Sequence, residues 1–239
     1  MFGRWKSRLP VLMVVAACYV LLYAAARYNL AVSAETELQK PITIIIDAGH
    51  GGEDGGAVSA SGLKESVINL EISRRLEDFL ALCGIRPMMM RKDDVSLHTD
   101  DATSISEKKV SDLKNRVAMV NSEQNAILLS IHQNHFSQEK YSGAQVFYAD
   151  TPGSKQLAQK LQDNLRSGLD PRNERQIKPA DSVYLMREAA CTSVLIECGF
   201  LSNASEAYLL KQDSYQKKLA CAIAAGLIHY LEGEQNFEV

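Results

Sequence analysis

Three short segments carry aliphatic and β-branched residues with no polar position at every second place. They are Ile44-Ile45-Ile46 within 42–47, Ala126-Ile127-Leu128-Leu129-Ser130-Ile131, and Ser193-Val194-Leu195-Ile196 within 193–197. A strand that is apolar on both sides must be covered on both sides, which is the environment of a parallel sheet between helix layers. Amphipathic helical patterns lie between these runs. The first, at 65–82, places Ile68, Ile72 and Leu76 at helical spacing and meets Gly84 as a stop. Further helices are expected at 108–122, 154–167 and 214–232, the last ended by Gly233, with strands at 85–90 and 144–148. Alternation of this kind predicts a single α/β domain with a mostly parallel sheet flanked by helices. Pro87 makes the 85–90 strand an edge strand or a shorter element.

Two polar stretches lack any period, 92–110 and 168–180. Long loops in compact domains are often functional, so each is either a wall of a cleft or mobile surface.

The N-terminus speaks about location. Arg4, Lys6 and Arg8 precede an uncharged apolar run from Pro10 to Ala26. This is a signal peptide or a membrane anchor within 1–34, near the short limit for spanning a bilayer. Basic residues ahead of it direct the remainder outward. Val32-Ser33-Ala34 supplies small residues for cleavage, and cleaved and anchored forms both stand. Residues 35–41 read as a linker, 42–232 as the folded domain and 233–239 as a tail. Removing 1–34 takes away four basic residues and no acid. That leaves 22 basic against 29 acidic residues, a charge of about −7. A domain so acidic has no electrostatic reason to hold nucleic acid.

Five cysteines are scattered without a CxxC pair. Burial as small hydrophobes is the favoured reading, with a Cys191–Cys198 bridge as the alternative.

Chemistry collects where the apolar runs stop. The first is followed by Asp47-Ala48-Gly49-His50, the second ends in His132, and the last ends in Glu197. In open α/β sheets, sites form at the C-terminal ends of the strands. Catalytic zinc takes three nitrogen or carboxylate ligands and leaves one position open. His50, Glu65 and His132 can supply such a set, with Glu53 as second choice for a ligand. Glu197 suits a proton shuttle, against a structural ion pair as the plainer alternative. Asp47 either orients His50 through its other ring nitrogen or serves the turn, while Asp54, like Glu53, is an ordinary loop acid by the favoured reading and an outer-sphere partner by the alternative. His135, beyond a Gln133-Asn134 loop, reads as a cleft-wall residue; His98 and His229 read as surface and helix positions. Arg187 reads as an ion-pair residue, with a substrate carboxylate as the other option.

These segments together resemble one family. Ile44-Ile45-Ile46-Asp47-Ala48-Gly49-His50-Gly51-Gly52-Glu53-Asp54-Gly55-Gly56-Ala57 is similar to the opening motif of the zinc-dependent N-acetylmuramoyl-L-alanine amidases. Lys64-Glu65, Ser130-Ile131-His132-Gln133-Asn134 and Val194-Leu195-Ile196-Glu197-Cys198-Gly199-Phe200-Leu201-Ser202-Asn203 resemble its second, third and fourth motifs. Met90-Arg91-Lys92-Asp93 and Asn115-Arg116-Val117-Ala118 resemble its intervening arginine segments. The resemblance covers 42–232. It implies a twisted sheet, one Zn2+ held by His50, Glu65 and His132, and Glu197 as general base. The bond cleaved would join the lactyl group of muramic acid to L-alanine in peptidoglycan. The bare catalytic domain and lone hydrophobic segment are most similar to the spore-cortex, germination-specific amidases. That likeness implies muramic-δ-lactam formation in sporulation and a partner lipoprotein. His135-Phe136 departs from the small residues usual in the family at that point. A zinc peptidase acting on stem peptides and a wall-binding domain without turnover are the competing readings.

Overall fold

The structure is a computed structural model in which residues 17–25, 27 and 42–235 are described. Residues 17–25 are helical; the rest of the expected leader and its cleavage segment lie almost wholly outside the described residues. Among the described residues no helix is long and apolar enough to cross a membrane.

The unit from Ile42 onward holds the sheet. Its elements are β1 (Thr43–Ala48), α1 (Glu65–Leu82), β2 (Met88–Met89), α2 (Ile105–Asn121), β3 (Ala126–Asn134), β4 (Gln145–Tyr148), α3 (Ser154–Leu169), β5 (Lys178–Pro179), α4 (Tyr184–Glu188), β6 (Thr192–Phe200), α5 (Ala204–Leu210) and α6 (Asp213–Gln235). The sheet runs β2-β1-β3-β6-β4-β5. All neighbours are parallel except β4, which is antiparallel to β6.

Burial on both faces explains the unbroken apolar runs. Ile44, Ile46, Leu129, Ile131 and Ile196 face a large core built with α1, α3 and α6. Ile45, Leu128 and Leu195 face a smaller one closed by Val120 of α2 and by Leu185 and Met186 of α4. Successive side chains of each strand thus enter different cores, as the pleat requires.

Several boundaries differ from expectation. The strand at 85–90 shrinks to Met88–Met89, an edge strand, as Pro87 suggests. The polar stretch 92–110 is shorter than it reads, because α2 begins at Ile105. Ser104 accepts from Glu107 N at 3.2 Å, and Glu107 accepts from Ser104 N at 2.9 Å. This reciprocal pair satisfies two main-chain donors that a helix start leaves unbonded. Gly233 does not stop α6, which continues to Gln235, since one helical glycine costs only about 1 kcal/mol. Gly84, by contrast, has φ +82 and closes α1 in full: its N–H bonds Ala81 O and that of Ile85 bonds Leu80 O. The 168–180 stretch carries β5 and is pinned, with Arg166 donating to Asn173 O at 2.7 Å and Asn173 to Ala144 O at 2.8 Å.

Cys191 and Cys198 are free thiols. Cys198 lies in the large core and Cys191 packs against the small one, so the sheet separates them. Cys83 and Cys221 are exposed, against the expectation of burial.

Candidate metal centre

β1, β3 and β6 are consecutive neighbours, so their C-terminal ends lie side by side. His50 follows β1 by two residues, and Glu65 opens α1. His132 and Glu197 stand opposite each other in the β3–β6 register. Both strands run on past these residues, through a register shift between His132 and Asn134. Gln133 and Asn134 therefore belong to strand, not to a flexible loop.

His50, Glu65 and His132 each offer a ligand atom, and these atoms lie within 4.8 Å of one another. Glu65 is the bridge between the two imidazoles. Its Oε2 is 3.3 Å from His50 Nε2, and its Oε1 is 2.9 Å from His132 Nδ1. Main-chain donors aim the same carboxylate: Ala57 N reaches Oε2 at 2.8 Å and Gln133 N reaches Oε1 at 3.1 Å. Burial works against its charge, but hydrogen bonds from His132 and His50 hold the Glu65 carboxyl far below the usual range. Burial likewise opposes a charged His50, and the carboxylates of Glu65 and Asp54 raise it to about 9. Three donors that stabilise a positive charge between them are what a divalent cation requires. Two imidazoles and one carboxylate also match the ligand chemistry of catalytic zinc, so the residues fit the metal.

The main chain is shaped to this cluster. His50 has φ +62, and it is the one described residue other than glycine with a positive φ. A side chain at Gly49 would stand 2.1 Å from the His132 ring. At Gly56, with φ +66, it would stand 2.5 Å from Glu65 Oε2.

Glu197 Oε2 is out of reach of solvent and has no hydrogen-bond partner. Burial pushes its carboxyl up to about 7, with His132 opposing and Glu65 adding to the rise. The structural ion pair considered from sequence is absent from the contacts of the described residues. A cavity of about 270 Å³ opens beside the histidines, lined also by Lys109, Leu113, Val183 and Leu185.

Other candidates fall elsewhere. Asp54, read as a loop acid, places Oδ2 2.9 Å from His50 Nδ1 and is the residue that orients it. Asp47 does not; its carboxylate pairs with Arg116 and accepts from Ser130 Oγ at 2.6 Å. Glu53 is exposed and bonded to Lys108 at 2.8 Å, outside the ligand cluster. Arg187 pairs with Glu188 at 3.0 Å. His98 bonds Ser96 at 2.9 Å, and His135 and His229 are exposed. The arginines of the intervening segments prove to be buried clamps on the 47–50 turn, which their sequence positions alone do not reveal.

The family model described as N-acetylmuramoyl-L-alanine amidase matches residues 44–229. The germination-specific N-acetylmuramoyl-L-alanine amidase of Bacillus subtilis (strain 168) is 38% identical over 188 residues, 78% of each chain. N-acetylmuramoyl-L-alanine amidase LytC of the same organism is 34% identical over 81% of this chain, which corresponds to 37% of that protein. Among solved structures, the CwlD amidase of Clostridioides difficile, in complex with the GerS lipoprotein, superposes with a TM-score of 0.78. It is 40% identical, and the match covers 81% of this chain and 100% of that one. With the fold, the strand-end cluster and these relatives in agreement, the chain belongs to the N-acetylmuramoyl-L-alanine amidases, enzymes that hydrolyse the amide between N-acetylmuramic acid and L-alanine in peptidoglycan.

Proposed function

We propose that His50, Glu65 and His132 hold a zinc ion and that Glu197 is the general base of the amidase reaction. The observation that carries this is the convergence of three ligand atoms within 4.8 Å, in register with a carboxylate whose Oε2 has no partner. Bound zinc would polarise the lactyl carbonyl and activate water at neutral pH. Glu197 then takes a proton from the attacking water and returns it to the departing amine of L-alanine. Its placement suits both steps, because a carboxyl raised to about 7 can hold or release a proton near neutrality. Asp54 keeps the His50 ring oriented, and the main-chain donors of Ala57 and Gln133 aim the Glu65 carboxylate.

The likeness to a germination-specific amidase supports a role in the spore cortex, with muramic-δ-lactam as the eventual product. The likeness to CwlD, solved with a lipoprotein, supports a lipoprotein partner for this chain. The basic residues and apolar run ahead of residue 35 support action outside the cytoplasm, with the N-terminal segment meeting the membrane.

The test is digestion of purified peptidoglycan by the full chain, with chelator and with zinc restored, read by mass spectrometry. The expected result is new L-alanine amino termini that vanish with chelator and return with zinc. Cleavage inside the stem peptide, or turnover indifferent to chelator, would overturn the proposal.

A further inference from the structure

Arg116 of α2 is 2% exposed. Its guanidinium has five N–H donors in a fixed fork, and all five find acceptors. Nε donates to Asp112 Oδ2 at 2.6 Å and Nη2 to Asp112 Oδ1 at 3.3 Å. Nη1 bonds Asp47 Oδ1 and donates to Ala48 O at 3.1 Å. Nη2 also donates to His50 O at 2.8 Å. Three of these acceptors belong to the turn 47–50 that delivers His50.

The contact with His50 O has a particular meaning. A left-handed backbone is unfavourable for histidine, and it persists only where surroundings over-determine it. A charged, buried donor on that carbonyl is such a constraint. The anchoring is also stiff. Asp47 is tied a second time by Ser130 Oγ at 2.6 Å, and Asp112 by Leu97 N at 2.6 Å and Ser96 Oγ at 3.0 Å. Arg91 holds the residues just before, donating to Ala48 O at 2.7 Å and Gly49 O at 3.1 Å. A lysine at 116 would bring one point charge and three donors, and could not span these acceptors together.

We propose that Arg116 is a positioning residue of the metal centre, which holds His50 in its left-handed conformation and so sets the angle at which its imidazole meets the metal. This rests on the zinc assignment made above. Arg116 is not one of the three clustered ligand residues; it acts through the His50 main chain.

The test uses the full chain and two metals. Zinc affinity is measured by competition with a chromophoric chelator, and cobalt(II) is substituted to read coordination from the visible spectrum. Arg116→Lys should bind zinc about tenfold or more weakly, the range expected for residues that orient ligands, and shift the cobalt bands. Leu157→Ala, in the other core, should lower the melting temperature but leave zinc affinity and cobalt spectrum unchanged. If Arg116→Lys does not fold, Asp112→Asn loosens the same guanidinium and carries the same expectation. Unchanged zinc affinity and cobalt spectrum in the folded variant would overturn the proposal. So would an affinity loss that Leu157→Ala reproduces, because the role would then be stability alone. A parent chain that binds no zinc would instead remove the metal assignment, and the positioning role with it.

Discussion

Nδ1 of His50 and Oδ2 of Asp54 lie 2.9 Å apart, and this contact decides which ring nitrogen the site can use. With Nδ1 engaged, Nε2 is the nitrogen that faces Glu65, at 3.3 Å. Lys109 holds the other oxygen of Asp54 at 3.0 Å, so the orienting carboxylate is fixed from two sides.

Asp54→Ala should therefore release the His50 ring without unfolding the chain. Zinc affinity is expected to fall by about 10–100-fold, measured by competition against a chelator of known strength. A variant that bound zinc like the parent would show that Asp54 only serves the loop.

Glu197→Gln keeps the shape of the side chain and removes its basicity. The turnover number should fall by about 10²–10⁴-fold, while zinc stoichiometry by atomic absorption and the thermal melting curve stay as in the parent. Substantial residual turnover would mean that another group moves the proton.

Gly49→Ala places a methyl group 2.1 Å from the His132 ring and cannot be accommodated without displacing it. Loss of both zinc binding and hydrolysis is expected. Gly168→Ala is the control. Its Cβ would meet Ala222 Cβ at 3.5 Å, an ordinary contact, within α3. A helical glycine replaced by alanine gains about 0.5–1 kcal/mol, so this variant should melt slightly higher and retain activity.

The cap of α2 gives a pH signature. Main-chain bonds from Ser104 and Thr103 lower the Glu107 carboxyl to about 2 from its ordinary 4.5. A carboxyl lowered by folding adds stability above its unfolded pKa and loses it as pH falls through the folded one. The stability difference between the parent and Glu107→Ala should be largest above pH 4.5 and shrink steadily toward pH 2. Urea titrations at several pH values would measure it; a difference constant across that range contradicts the assignment. Ser104→Ala should cost about 1 kcal/mol near neutrality in the same titrations.

Strands β1, β3 and β6 were legible because burial on both faces leaves an unbroken apolar run, and a strand with one face in water could not carry one. His50, Glu65 and His132 were legible as a group because the parallel order brings their elements to one edge. The partners of those residues were not. Asp47 and Asp54 are equally near His50 in sequence, and only the turn through the glycines decides that Asp54 reaches the ring while Asp47 meets Arg116. Arg116 is 66 residues from the carbonyl it holds, a separation on which no local pattern bears. The start of α2 was readable in principle, since Ser104 and Glu107 stand at the spacing of a reciprocal cap, but the polar character around them hid it. Helices α4 and α5 span only Tyr184–Glu188 and Ala204–Leu210, too short to show a period.

In the proposed site His50 follows β1, Glu65 opens α1, His132 lies on β3, and Glu197 is delivered by β6, the last strand in chain order. No fragment that ends before β6 contains a complete site. On the proposed assignment of Glu197, hydrolysis must wait until the last strand has docked, which ties activity to the completion of folding.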